Sequence, residues 1–244
     1  MRFGIIMYNK LIAVIVILGV LIIGGYFIYS SGPTVSAQGT SSIEAKPDKV
    51  SVYVTIETKE KTLQEAQQKN SVIREKVTDD LLLLGIDEDD IQYVNYNSYP
   101  WVEWSNGKSE EKGFIVYQQI VVKSDSFREV GKIVDVGVNA GAMISSIQFE
   151  LSEEKQNDYK TEALELASKN ARDKAASIAE GQGKKLGRLV SLKSVEFNYI
   201  PLRYYEASGA TADVAEVKRA AANIEPQDLT VTASVQVEYK LRVI

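Results

Sequence analysis

The end of the chain alternates with a period of two. Leu229, Val231, Ala233, Val235, Val237, Tyr239 and Leu241 fall on one side, and Thr230, Thr232, Ser234, Gln236, Glu238 and Lys240 on the other. That pattern belongs to a strand with one buried and one wet face. It recurs in Val50, Val52, Val54 and Ile56 against Ser51, Tyr53, Thr55 and Glu57, and again from Met143 to Leu151. Strands that alternate so cleanly belong to antiparallel sheets covered by helices on one face, and they exclude a doubly wound parallel sheet.

The segments between them carry the helical period. Thr62 and Glu65 form a capping box, and Leu63, Ala66, Ile73, Val77, Leu81 and Leu84 make one apolar stripe up to Gly85. Ser126 with Glu129 predicts a second capping box and a short helix through Val138. Ser152 caps a long alanine-dense helix to about Glu180, closed by Gly181, Gly183 and Gly187. Ile91–Trp104 and Phe114–Lys123 read as two strands around a polar loop, 105–112, and 189–199 as a further strand. The order β-α-β-β-α-β-α-β-β is that of an α+β domain. Asn70 and Asn170 interrupt apolar helical faces, where a buried amide fixes register between packed elements.

Before this domain lies Leu11–Ile28, eighteen residues without a charge, preceded by Arg2 and Lys10. Its length suits a transmembrane helix, and the flanking cations keep the amino end in the cytoplasm and send the rest outside. The rival is a signal sequence cleaved after Val35-Ser36-Ala37. The expected organisation is an anchor over 1–29, a Ser/Gly/Thr-rich tether over 30–43 and an extracytoplasmic domain over 44–244.

Two residue types are missing, and their absence removes much chemistry. With no cysteine there is neither a disulfide framework nor a thiolate metal site. With no histidine, the commonest general base and every serine–histidine or cysteine–histidine mechanism is excluded. The net charge is −5, and more negative still once Arg2 and Lys10 are set aside, which argues against nucleic acid as a partner. Asp87-Glu88-Asp89-Asp90 lacks the alternating spacing of a calcium loop and reads as a solvated turn. No catalytic residue, metal site or cofactor is expected.

What remains is aromatic. Residues 93–104, YVNYNSYPWVEW, hold five rings. The arrangement has an echo downstream: Lys69-Asn70 matches Lys169-Asn170, Leu84-Gly85 matches Leu186-Gly187, and Tyr99-Pro100-Trp101 matches Ile200-Pro201-Leu202 with Tyr204 and Tyr205 beyond. A unit of helix, strand, aromatic arm and strand therefore occurs twice. A proline inside a strand belongs at an edge or a bulge. The rings there either meet the core or a sister chain, or form a platform for a ligand. Tyr99, Trp101, Trp104, Tyr204 and Tyr205 are the candidate contact residues.

Lys46-Pro47-Asp48 before the first strand, Leu84-Gly85-Ile86 with Asp90-Ile91, and Val130-Gly131-Lys132-Ile133-Val134-Asp135 leading to Gly141-Ala142 stand in a particular order. With the Gly183–Gly187 stretch and the alternating terminal strand, this order resembles the SIMPL-domain family over residues 44–242. The resemblance implies a periplasmic or surface-exposed protein, in some members linked to oxidative-stress defence or assembled into rings or channels, with no catalytic residues to carry over. Two departures are Glu225-Pro226-Gln227, where a glycine is common, and the insert 206–224, which reads as a flap or an oligomer contact. Two functions are expected to compete: a self-assembling, non-enzymatic envelope protein, and an envelope glycan-binding module using the aromatic arms. The expected partners are copies of the chain, the membrane through the amino-terminal helix, and an envelope protein or glycan.

Overall fold

A computed structural model describes residues 17, 19, 32–105, 107–206, 215, 218, 219, 221 and 225–243. The Leu11–Ile28 run lies outside them apart from Ile17 and Gly19, and among the described residues no helix is long and apolar enough to cross a membrane. The elements in order are β1 (Thr34–Ala45), β2 (Lys49–Glu60), α1 (Leu63–Leu83), β3 (Ile91–Ser105), β4 (Lys108–Ser124), α2 (Val130–Ala140), β5 (Met143–Glu150), α3 (Glu153–Gly181), β6 (Lys184–Tyr199), β7 (Leu202–Glu206) and β8 (Leu229–Val243). The chain is a mixed α+β protein in two compact units. One comprises Ile43–Lys160 and Asn198–Val231, the other Met1–Ser42, Thr161–Phe197 and Thr232–Ile244.

The larger unit is built on a five-stranded sheet of order β3-β4-β2-β5-β7, with every neighbouring pair antiparallel. Val50, Val52, Val54 and Ile56 of the central β2 are fully buried on the face covered by α1 and α2. The capping box starts α1 as its sequence predicts: Thr62 accepts from the Glu65 amide, and Glu65 accepts in return from Thr62. Ala66, Val77 and Leu81 are its buried stripe. The second predicted box does not form. Glu129 accepts instead from the Ser124 hydroxyl at 2.7 Å, and a 3₁₀ turn, Phe127–Glu129, leads into α2. Ser152 does cap α3, and Asp48 grips that cap with both carboxylate oxygens, each at 2.8 Å.

The smaller unit has a three-stranded sheet of order β1-β8-β6. Its first strand corrects the expected tether, because Thr34–Ala45 is β1, with Val35, Ala37 and Ala45 buried. The small residues that suggested a linker let two backbones touch. Ala163, Ala167, Ala171, Ala175 and Ala179 recur every fourth residue on α3, all without exposed surface, and β1 lies against this row. A methyl group at Gly39 would overlap the Ala167 carbonyl oxygen and come 2.7 Å from the Ala171 Cβ. The helix also holds the edge of β1. The Asn170 side chain accepts from the Thr40 amide at 3.2 Å, Lys174 donates to the Gln38 carbonyl at 3.1 Å, and Ser41 donates to the Ala163 carbonyl at 2.7 Å. A helix along an edge strand blunts its tendency to recruit another strand. On the terminal strand the expected alternation is present, with Ala233, Val235 and Val237 buried.

Asn70 plays in α1 the part that Asn170 plays in α3. It is 1% exposed and donates its amide to the Ile56 carbonyl at 3.3 Å, tying helix to sheet.

Two predictions follow from these contacts. Gly39→Ala should lower stability by about 1–3 kcal/mol, the usual cost of overpacking. Gly181→Ala, which meets nothing within 4 Å, should leave the urea midpoint unchanged or raise it. Asn70→Asp should cost on the order of 3 kcal/mol at neutral pH, since it exchanges a buried donor for a buried charge. Urea unfolding of each variant beside the parent measures both.

Candidate functional site: the projecting hairpin

The feature most suited to contact is created by a mismatch in strand length. β2 makes its last pair at Glu60 with Phe114, whereas β3 and β4 run on together to Ser105 and Lys108. The part beyond Glu60 is a two-stranded arm. Gly113 sits where it leaves the sheet, with φ of +150° and no room for a side chain, since a Cβ there would lie 2.9 Å from the Glu60 carbonyl carbon. The register shifts at the same place, so that Trp101 pairs with Gly113 and Val102 with Glu111. The expected loop 105–112 is much shorter, because the strands stay paired as far as Ser105 with Lys108. Asn-Gly is the strongest short hairpin signal, and it was the cue to a longer arm.

Pairing fixes which rings share a face. Tyr99 opposes Ile115, Asn97 opposes Tyr117 and Trp101 opposes Gly113, so these residues point away from α1 and α2, whereas Val102 and Trp104 fall on the opposite face of the arm. Trp104 is 78% exposed and Tyr99 45%, while Trp101 is half-buried with the Lys59 ammonium 5.8 Å from its ring centre. That distance suits a cation–π contact. Pro100 lies in β3, the outermost strand, where its missing amide proton costs no ladder bond between central strands.

The same face carries polar groups across the sheet. Gln119 accepts from Asn95 at 3.4 Å and donates to the Ser145 hydroxyl at 3.3 Å. Ser145 in turn donates to the Tyr53 carbonyl at 3.1 Å and lies 3.1 Å from the Thr55 hydroxyl. Burial raises the Tyr53 phenol above its ordinary pKa, helped by Glu150 and opposed by Arg203. It therefore stays a neutral hydroxyl through the physiological range. This face offers hydroxyls, amides and rings, which can hold a ligand or a chain but include no activated nucleophile.

The structure separates the other two candidates from these three. Tyr204 is in β7, at the opposite edge of the sheet, and packs on Phe149 with ring centres 5.4 Å apart. Phe149 is fully buried and also meets Phe127 edge-on, so Tyr204 closes over the core. Tyr205 pairs with Ile147 through its backbone, and its side chain lies outside the described part. The second arm is therefore a correction. Pro201 stands between β6 and β7, which belong to different sheets, and among the described residues no hairpin matches the first. Leu186-Gly187, expected to end a helix, lies inside β6, where Gly187 faces the Lys240 carbonyl.

Other candidates carry less. Glu88–Asp90 is a short 3₁₀ turn between α1 and β3, and no group of three acidic side chains among the described residues could hold a metal ion. In the smaller unit a groove of ≈ 550 Å³ runs between β1 and α3 past Gln38, Asp173, Lys174 and Ser177, with Lys174 committed to the Gln38 carbonyl. The insert 206–224 lies outside the described residues apart from Glu206, Ala215, Lys218, Arg219 and Ala221. Of these, Lys218 reaches Asp135 of α2 at 2.7 Å and Ala221 is buried. One surface had no cue in the sequence: β6 leaves Leu189, Val190, Leu192 and Val195 exposed.

Comparison with known proteins places these features in a family. The SIMPL family, described as "Protein of unknown function (DUF541)", matches residues 35–239. The "Uncharacterized protein YggE" of Edwardsiella ictaluri is 29% identical over 215 residues, covering 86% of this chain and 87% of that protein. Its Escherichia coli K12 counterpart is 26% identical, with 78% of each covered. The "26 kDa periplasmic immunogenic protein" of Brucella melitensis is 27% identical, with 69% of each covered. A match over most of the chain decides the family, as the order of motifs implied: this chain belongs to the SIMPL family.

Proposed function

We propose that the chain is a non-enzymatic, extracytoplasmic envelope protein, held to the membrane by Leu11–Ile28, that works by assembling with copies of itself through the β3–β4 arm. The observation that carries this reading is the free-standing end of the arm, which exposes Trp104 and Val102 on one face beyond the last residue of β2. Rings displayed on a two-stranded projection have no core of their own, and aromatic side chains are what interfaces enrich. The exposed apolar row of β6 supplies a second surface of the same kind. The name of the Brucella relative, a periplasmic protein, agrees with a place outside the cytoplasm.

A second reading has an observation of its own. Tyr99 and Trp101 share one face with the Asn95–Gln119–Ser145 ladder, a combination of rings and hydroxyls suited to an envelope glycan.

The double substitution Trp101→Ala and Trp104→Ala separates the two. Each ring can remove roughly 150–250 Å² from water at an interface, so their loss should cost several kcal/mol of association while each protomer stays folded. Sedimentation should show a smaller species than the parent. An unchanged assembly with loss of glycan-induced fluorescence quenching would sink the first reading and support the second.

The topology has its own test. A reporter fused after Ile244 should be active only outside the cytoplasm. A purified protein whose sequence begins at Gln38 would show that the anchor is cleaved.

A further inference from the structure

The start of β1 leaves almost no slack between the fold and the apolar run. Leu241 donates its amide to the Pro33 carbonyl at 2.9 Å, and the Lys240 ammonium donates to the Gly32 carbonyl at 2.9 Å. Chain that is fastened from Gly32 onward leaves only residues 29–31 between Ile28 and the fold. At the greatest extension of a polypeptide, that link spans no more than about 15 Å. The polar headgroup layer on each side of a bilayer is itself roughly 5–8 Å deep. A longer tether would let the domain stand clear of the membrane; on the anchored reading this one keeps the end of its sheet within about 10 Å of the headgroups.

That same end is basic in an acidic protein. β1 and β6 both begin there and β8 finishes there, since Thr34 meets Glu238, and Gly187 lies against Lys240 and the Arg242 side chain. Lys184, Lys185 and Arg188 open β6, and Lys240 and Arg242 close β8, with no acidic residue in 184–188 or 240–242. Over the whole chain acids outnumber bases by 33 to 28. Lys185, Arg188 and Arg242 are exposed. Glu238, the nearest acid on β8, is already engaged by Thr34 at 2.8 Å and Lys193 at 3.2 Å. Glu180, at the end of α3, is the one acid close by in sequence before Lys184.

We propose that this end of the three-stranded sheet, carrying Lys185 and Arg242, is a docking surface for anionic lipid headgroups of the membrane that Leu11–Ile28 enters. The proposal rests on the anchored reading above, and it adds what the anchor cannot provide: a preferred lipid charge and a fixed face toward the bilayer. Juxtamembrane cations gain from an anionic surface only within about a Debye length, and the short link keeps them inside it.

The absence of native cysteine permits single labels. The full chain would carry a fluorophore on Gln182→Cys, beside the basic end, or on Glu196→Cys, about 40 Å further along β6. Each is reconstituted into vesicles of phosphatidylcholine with or without about 30% phosphatidylglycerol, with a nitroxide on the headgroups as quencher. The Gln182 label should be quenched several-fold more than the Glu196 label in the anionic vesicles. Lys185→Gln with Arg242→Gln, both at exposed positions, should abolish the difference between the two lipid compositions, as should raising salt from about 50 mM to about 500 mM. Equal quenching at the two positions, or no effect of the double substitution, would overturn the docking surface. Alkaline carbonate extraction reports on the anchor separately. A chain retained by carbonate but with an unquenched Gln182 label defeats the docking alone. A chain released by carbonate but bound to anionic vesicles through Lys185 and Arg242 defeats the anchor alone. No binding at all defeats both.

Discussion

The burial of β2 is the constraint on which the larger unit depends. Its position in the middle of five strands gives it a neighbour on each edge, and its apolar row is sealed by two helices. Register then propagates outward. Val54 pairs with Ile120 on one side and Ile144 on the other, so one slip would turn every buried side chain of three strands toward water. The arm follows from the same strand, because β4 outruns it. Where β2 stops at Glu60, the sheet has lost its third strand and the hairpin continues alone.

The two asparagines show how one device serves two architectures. On α1, Asn70 donates to a carbonyl of the central strand from a site 1% exposed. On α3, Asn170 accepts from the amide of an edge strand. An amide side chain can do either, because it carries donors and an acceptor. Replacing it by an apolar residue would keep the burial but lose the rule for where the helix stops sliding.

Much of this was legible in the sequence, and each exception has its own physical cause. Period-two alternation located β2, β5 and β8, and the Thr62–Glu65 box located the start of α1, because those signals are local. β1 was missed because its buried residues are Val35, Ala37 and Gly39, which alternate correctly but are too small to register as apolar. Their small size is the requirement of a partner 130 residues away, the alanine row of α3, and no local window contains both. Ser126 failed for the opposite reason: the motif was present, but Ser124 took the Glu129 carboxylate first. The paired arms failed because sequence likeness around Pro100 and Pro201 says nothing about which sheet the next strand joins. At the site, Trp101 and Trp104 were found as aromatics, but their division between the two faces of an arm that outruns β2 is something only pairing reveals.

The arm also carries an energetic tension that bears on its use. A two-stranded hairpin is marginal in water, and three strands or a packed face are ordinarily needed for independent stability. The tip beyond Glu60 has neither, and the contact that Trp101 makes with Lys59 holds only its root. Trp104 and Val102 contribute little to the fold while they face solvent, yet exposed apolar surface on a bare edge invites aggregation. A chain selected only for the stability of its monomer would gain by charging or shortening this segment. The Glu103, Glu110 and Glu111 carboxylates beside the rings fit a compromise, since like charges on neighbouring arms oppose random edge-to-edge pairing while leaving the aromatic face open. The proposed contact through the rings, in a fixed geometry that separates the carboxylates, would supply the third layer that the hairpin lacks.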